Sequence, residues 1–326
     1  MAEAMKYRNL GRAGVKVAPL CLGTMMFGGE ADEAEAGRVL DRALAAGLNF
    51  IDTSNSYNDG RSEEVLGRYL AERQLRDRVV LATKVYHPRG SGPNDRGLSR
   101  YHVRQEVERS LRRLKTDRID LYQFHRPDVT TPLEESLRTI DDLVAAGKVL
   151  YFGTSCFPAA KLAELLALAE RQGRVPVASE QPPYSILNRE VEAEVLPYCA
   201  AHGIAVIPFS PLSGGWLSGK YRAGAAAPAG SRYARRKTDM SDSTVARRLA
   251  AVEGLQALAE QKGVGLIPLV VAWVMSRPGV TSPIIGPKSL AQLETYLAAL
   301  DVTLTAEDQA VIDALVAPGT RVKGEG

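Results

Sequence analysis

One unit repeats along this chain: an amphipathic helix, a glycine, then a short apolar strand. "DEAEAGRVLDRALAAG" contains the first helix. Asp32 stands where an N-cap belongs, and Glu35, three residues on, completes a capping box. Ala36, Val39, Leu40, Ala43 and Leu44 recur at helical spacing and make one apolar stripe. Gly47 offers the left-handed residue that ends such a helix, and "LNFI" follows as a strand.

The same unit recurs downstream. A helix over about residues 63–75 leads into "RVVLATK". The next is capped by Ser99, carries Val103, Val107, Leu111 and Leu114 on one face, and leads into "RIDLYQFH". The fourth opens on "TPLE", with Thr131 as N-cap, Pro132 at the first helical position and Glu134 closing the box. It ends at Gly147 and leads into "KVLYFGTS". The fifth runs from about Pro158 to Gly173 and leads into "PVASEQ". The sixth carries Val191, Val195, Leu196 and Cys199, ends at Gly203 and leads into "IAVIPFS". A long loop over residues 209–243 interrupts the rhythm. A helix over about 244–262, the apolar helix "LIPLVVAWVM", the strand "TSPIIG" and a helix from Ser289 complete it.

With "APLCLG" counted as the first, eight strands alternate with helices. The strands are continuous apolar runs, as a parallel sheet covered on both faces requires. Eight such units predict an α/β (β/α)8 TIM barrel, one domain over residues 1–326. Residues 6–18 read as an N-terminal β-hairpin, and "TAEDQAVIDAL" as an extra C-terminal helix. The 45% hydrophobic and 24% charged residues supply an ordinary globular core and surface.

Several classes are disfavoured. A net charge of +3 is too small to argue for nucleic acid or an anionic membrane. The apolar runs are too short to span a bilayer, and residues 1–15 lack an apolar signal core. Cys21, Cys156 and Cys199 lie far apart, which predicts free thiols in a reducing cytoplasm. The four histidines show no metal-ligand spacing, so no metal is expected. "GGWLSGKY" begins like a P-loop, but Tyr221 stands where Ser or Thr must meet Mg²⁺. No G-x-G-x-x-G follows the first strand, which disfavours a Rossmann dehydrogenase.

In a TIM barrel, chemistry sits at the C-terminal ends of the strands. The polar residues there are Gly23-Thr24, Asp52, Lys84, His125, Ser155, Gln181, Ser210 and Gly286, with Tyr57 one short loop beyond Asp52. Taken singly, Asp52 reads as a turn residue, Tyr57 as packing, Lys84 as a snorkelling cation and His125 as a core imidazole. A barrel mouth brings them within reach of one another. A phenol has an ordinary pKa of about 10. An adjacent ammonium would lower that value, and Asp52 would keep Lys84 charged. His125 can donate to a substrate oxygen. Such a set suits proton donation to a carbonyl being reduced. Reduction needs hydride, which no side chain supplies, so a nicotinamide cofactor is expected.

Over nearly its whole length the sequence resembles the aldo-keto reductase superfamily, from "LGRAGVKVAPLCLGTMMFGG" to "IIGPKSLAQLE". "FIDTSNSYNDGRSEEVLG", "LATKV" and "VERSLRRLKTDRIDLYQFH" match its most recognisable blocks. "GPNDRGLSR" and "PFSPLSGGWLSGKY" are most similar to its potassium-channel β-subunit-like and bacterial sugar-ketoreductase branches. The Ala- and Arg-rich composition fits a bacterial source.

The resemblance implies NADPH-dependent carbonyl reduction with a tetrad of Asp52, Tyr57, Lys84 and His125, Tyr57 being the proton donor. It implies that Gly23, Thr24 and Met25 line the cofactor near the nicotinamide and that Ser155 and Gln181 bind its carboxamide. Phe209 would stack on the ring, where a Tyr is common. Ser210, Leu212 and Gly214 would contact the pyrophosphate, and Gly286, Lys288 and Gln292 would hold the adenosine end. Lys288 is the candidate for the 2′-phosphate, which favours NADPH (NADP+) over NADH. Three positions depart from the family: Cys156 replaces a usual Asn, and Thr295 and Tyr296 replace a frequent Glu-Asn. Tyr296 is then a candidate to stack on adenine.

Substrate choice is expected in loops over the mouth, at Phe27, Tyr86, Arg126 and Trp216. The expected partner is a small-molecule carbonyl; a homo-oligomer is compatible with this reading. Arg232, Arg235, Arg236 and Lys237 form a charge run, read either as a solvated loop or as a lid over an anionic cofactor. Two other functions compete: an NADPH-binding regulatory or redox-sensing subunit of the same fold, and a Schiff-base aldolase using Lys84.

Overall fold

The computed structural model of the chain describes residues 5–222, 224–236, 240 and 242–322. Strands β1 (Arg8–Asn9) and β2 (Lys16–Val17) form the expected antiparallel hairpin. All eight apolar runs form strands. They are β3 (Cys21–Gly23), β4 (Phe50–Asp52), β5 (Val80–Val85), β6 (Ile119–Phe124), β7 (Val149–Ser155), β8 (Val177–Gln181), β9 (Ala205–Val206) and β10 (Ile284–Ile285). They pair in parallel, in the order β10-β3-β4-β5-β6-β7-β8-β9. A parallel bridge between Val206 and Val280 joins the two ends. The Thr281 and Ile284 amides also donate to the Val206 and Pro208 carbonyls, at 2.7 and 2.8 Å. The sheet therefore closes into a (β/α)8 barrel.

Helices α1 (Glu33–Ala45), α2 (Arg61–Glu72), α3 (Arg100–Leu114), α4 (Leu133–Ala145), α5 (Ala159–Gln172) and α6 (Val195–His202) each follow one barrel strand. The short α7 (Arg232–Arg235) lies in the long loop. Helices α8 (Ser243–Gln261), α9 (Leu266–Ser276), α10 (Leu290–Leu297) and α11 (Ala306–Leu315) complete the layer. Among the described residues no single helix is long and apolar enough to cross a membrane.

Side chains alternate across a strand, so the barrel has two apolar clusters. One lies between sheet and helices and includes Leu22, Ile51, Leu81, Phe124 and Phe152. The other fills the barrel: Cys21, Phe50, Val80, Ala82, Leu121, Ala205, Ile207 and Ile284, joined by Leu10 and Val17 of the hairpin. Burying a side chain of this size stabilises by roughly 1.5–3 kcal/mol. Two residues further along β3, β4, β5 and β6, the apolar interior gives way to Gly23, Asp52, Lys84 and Gln123.

Helix ends follow the sequence at most positions. Asp32 accepts from the Glu35 amide at 2.8 Å, and Ser99 and Ser289 cap α3 and α10. Three details differ. The Glu35 carboxylate accepts from the Leu290 amide at 2.6 Å and so ties α1 to α10. Thr131 does not cap α4; Pro132 is the N-cap residue, without a side-chain cap bond. Asp128 takes the Thr131 hydroxyl at 2.9 Å and the Thr130 hydroxyl at 2.6 Å, which draws both into the preceding turn. Helix α2 starts at Arg61 and stops at Glu72, because left-handed residues Gly60 and Gln74 bracket it.

The long loop is built rather than featureless. A turn over Ser213–Ser218 carries Trp216, whose ring lies 4.8 Å from Tyr221 and 4.5 Å from Tyr233. This aromatic cluster docks α7 on the barrel. Lys237 of the charge run lies outside the described residues.

Candidate active site

The period of two places Asp52, Lys84 and Gln123 on the inner face, at the C-terminal ends of adjacent strands. Lys84 is fully buried and Asp52 is 1% exposed. Lys84 Nζ lies 2.5 Å from Asp52 Oδ1, 2.8 Å from the Thr53 carbonyl and 3.0 Å from the Tyr57 hydroxyl. An ammonium has three donors and no acceptor. The Tyr57 oxygen therefore accepts from Lys84, and its own hydrogen remains for another acceptor.

Asp52 Oδ2 accepts from the side-chain amides of Gln123 and Gln181, each at 3.0 Å. Gln181 also donates to Gln123 Oε1 at 3.1 Å. Both amide hydrogens of Gln181 thus point into the barrel, which leaves its carbonyl oxygen for a ligand. This layer needs Gly153 on β7: a Cβ there would stand 2.4 Å from Ser179 Oγ and 3.1 Å from Gln123 Cγ.

The segment from Thr53 to Gly60 is held from several sides. Ser54 Oγ lies 3.2 Å from His125 Nδ1, and Asn55 donates to the buried Glu106 carboxylate at 2.8 Å. After Tyr57 the chain turns through left-handed Asn58 and Asp59, at φ 46° and 60°. Asn and Asp tolerate that region better than most residues. The Asn58 amide donates to the Met25 and Phe27 carbonyls, both at 2.8 Å. The Tyr57 ring meets His125 edge-on, centroids 5.9 Å apart. His125 packs likewise on His87, at 4.5 Å.

Electrostatics correct one expectation. Burial is the largest influence on the Tyr57 phenol and Lys84 opposes it, yet the net shift is upward, not downward. Burial alone would favour a neutral Lys84. Asp52, then Tyr57, outweigh it and raise its pKa, so it stays an ammonium. Burial, with help from the Lys84 charge, lowers the His125 pKa strongly, and its ring is neutral.

Above this cluster lies a cavity of about 510 Å³. Asp52, Tyr57, His125 and Arg126 line it. So do Gly23, Met25, Ser155, Gln181, Phe209, Ser210, Leu212, Gly214, Gly286, Lys288 and Gln292. Lys84 reaches it only through the Tyr57 hydroxyl. Thr24 does not line it: its hydroxyl is buried against Ser62 Oγ at 2.8 Å and the Asp52 carbonyl at 3.2 Å.

Three substrate candidates also lie elsewhere. Phe27 and Trp216 are 0% and 1% exposed in the outer core, and Tyr86 packs on His87 at 5.5 Å. Arg126 faces the cavity and donates to Cys156 Sγ at 3.1 Å.

Sequence reasoning missed Gln123, although it lies on β6 two residues before His125, which follows the end of that strand. It also missed Glu30, a cavity-lining residue that no local pattern marks, and Lys220, which lies in the P-loop-like "GGWLSGKY" and lines the cavity too. Among the described residues no group of three or more His, Cys, Asp or Glu is placed to hold a metal ion.

A closed eight-stranded parallel barrel with Asp, Lys, Tyr and His gathered at its mouth defines the class of the molecule. Residues 19–317 match the Aldo/keto reductase family, and the chain belongs to that family. It is similar to the uncharacterized oxidoreductase YrpG of Bacillus subtilis, 41% identical over 93% of each chain. It is also similar to a probable voltage-gated potassium channel subunit beta of Oryza sativa subsp. japonica, 40% identical over 96% of this chain and 97% of that one. Norsolorinic acid reductase of Aspergillus flavus is 36% identical over 92% of this chain and 78% of its own.

Proposed function

We propose that this chain is an NADPH-dependent oxidoreductase that reduces an aldehyde, ketone or sugar carbonyl to the alcohol. The observation that carries the reading is the fully buried Lys84, bridging Asp52 and Tyr57 beneath the cavity. The phenol accepts from Lys84 and retains a hydrogen for a substrate oxygen. As that hydrogen leaves, the adjacent ammonium stabilises the phenolate. Asp52 keeps Lys84 charged throughout. Neutral His125, its Nδ1 on the Ser54 hydroxyl, has Nε2 to donate to the same substrate oxygen.

The cavity residues fit a dinucleotide. Arg126, Lys220, Arg235 and Lys288 line it, so cations outnumber the lining carboxylates Glu30 and Asp52. Left-handed Ser213, Gly214 and Gly215 suit backbone amides that turn toward phosphate. A reduced nicotinamide, when bound, supplies the hydride. Phe209 offers a face for its ring, and Ser155 with the Gln181 carbonyl oxygen would take its carboxamide. Cys156 faces Arg126, so the usual Asn contact has no replacement there. Lys288 and Gln292 would hold the adenosine ribose, and Tyr296, also on the cavity wall, would flank adenine. Three free cysteines fit a reducing cytoplasm.

A Schiff-base role for Lys84 is disfavoured by its burial and retained charge. The channel-subunit name of the rice relative favours a second reading, in which the barrel binds the cofactor but serves a partner protein. The test is to mix the protein with NADPH and 4-nitrobenzaldehyde and follow the absorbance of the reduced nicotinamide. Loss of absorbance in proportion to protein is expected. Tight NADPH binding with negligible turnover on every carbonyl tried would favour the regulatory reading. No NADPH binding at all would contradict both.

A further inference from the structure

Glu30 stands between β3 and α1 on the cavity wall. Its two carboxylate oxygens take two different cations. Lys288 Nζ donates to Oε2 at 3.1 Å, and Arg235 Nη2 to Oε1 at 3.3 Å. Lys288 stands at the entry to α10, and Arg235 on α7 of the long loop; both line the same cavity. Among the described lining residues the other carboxylate is Asp52, which is committed to Lys84, Gln123 and Gln181. Among the described residues Glu30 is therefore the one lining carboxylate positioned to compete for cavity cations. Lys288, chiefly through its hydrogen bond, holds the Glu30 carboxyl below its usual range against the opposing effect of burial, so it is ionised near neutrality.

These contacts bear on which nucleotide the cavity accepts, an inference that rests on the functional reading above. Lys288 and Arg235 suit a ribose 2′-phosphate, but Glu30 already engages both. A phosphate arriving there must displace the carboxylate and meets its negative charge. A ribose 2′-hydroxyl, by contrast, is a donor that a carboxylate can accept from. We propose that Glu30 is a specificity-determining residue: it competes with the 2′-phosphate for Lys288 and Arg235 and accepts from the 2′-hydroxyl of NADH. The chain then uses both nucleotides, with a narrow margin for NADPH.

Glu30, Lys288 and Arg235 are partly exposed, their side chains at 43%, 48% and 58%. Water and salt therefore moderate their attraction. An exposed ion pair of this kind changes binding roughly two- to fivefold.

The experiment is calorimetric titration of the full chain with NADPH and with NADH, in wild type and Glu30→Gln. Glu30→Gln should tighten NADPH roughly two- to fivefold and weaken NADH about twofold, so the preference for NADPH widens. Glu30→Ser removes the same charge by a different route and should move the ratio in the same direction. If wild type binds both nucleotides and neither variant changes the ratio, the inference is overturned and the functional reading stands. If wild type binds neither, the functional reading itself fails, and this inference with it.

Discussion

Lys84 and Tyr57 illustrate how burial and charge compete at a single residue. Lys84 retains its proton because Asp52 lies at 2.5 Å and Tyr57 at 3.0 Å. Tyr57 would gain from that ammonium, but burial raises its pKa more than Lys84 lowers it. In the proposed reaction the lysine would therefore act on the phenolate as it forms rather than preparing it beforehand. A pH dependence follows. The phenol must be protonated to donate, and its pKa lies above the ordinary value of about 10. His125 is already neutral, and burial also lowers His87. The rate of carbonyl reduction should be level from about pH 6 to about 9 and fall only above about 10. Alcohol oxidation, which needs the phenolate as base, should instead rise with pH. A reduction profile with a limb near pH 6.5 would contradict a neutral His125. Asp52, Lys84 and His125 were legible in the sequence because each ends, or lies just past the end of, an apolar run. The direction of the Tyr57 shift was not, since it depends on how completely Thr53 to Gly60 folds over the phenol.

At the scale of elements, the β7–α5 junction shows what a strand-end register costs. Glu180 on β8 is fully buried on the outer face, opposite Gln181 and the barrel interior. It accepts from the Thr154 hydroxyl at 2.5 Å and from the Phe157 amide at 3.1 Å. These bonds hold the turn in which Cys156 adopts a left-handed φ of 58°. Burial pushes the Glu180 carboxyl up to about 8, although its hydrogen bonds pull the other way.

Below about pH 4.3, the ordinary glutamate value, both folded and unfolded states hold the proton. Between there and 8 only the folded state holds it, so stability falls as pH rises and levels off above 8. His125, His87 and His102, whose pKa values burial lowers, act in the opposite sense below about pH 6.5. The Glu180 effect is therefore read as a difference: chemical denaturation from pH 5 to 8 should show the stability of wild type falling relative to that of Glu180→Gln. Equal slopes would contradict a raised Glu180. The eight strands and most helix ends were readable from periodicity and caps. The start of α4 was not, because Asp128 captures Thr131 through a turn that no spacing rule encodes. The docking of the long loop was not either, because Trp216, Tyr221 and Tyr233 meet only in three dimensions.

At the scale of the whole molecule, the barrel interior is divided along its axis. Its lower part is apolar and plugged by the hairpin residues Leu10 and Val17. Its upper part is the polar layer of Asp52, Lys84, Gln123 and Gln181. The charge is divided as well. The chain carries only +3 overall, yet Arg126, Lys220, Arg235 and Lys288 converge on one cavity. Bulk composition gave no hint of that concentration, because 38 acidic residues nearly balance 41 basic ones over the whole chain. The central claim joins the two divisions: a cationic cavity takes the nicotinamide cofactor, and Tyr57 on its floor donates the proton. Tyr57→Phe removes one oxygen and leaves the ring. Reduction of 4-nitrobenzaldehyde by NADPH should then fall by roughly 10²–10⁴-fold, the usual range for a lost acid, with NADPH affinity near wild type. Full activity in Tyr57→Phe would contradict the claim.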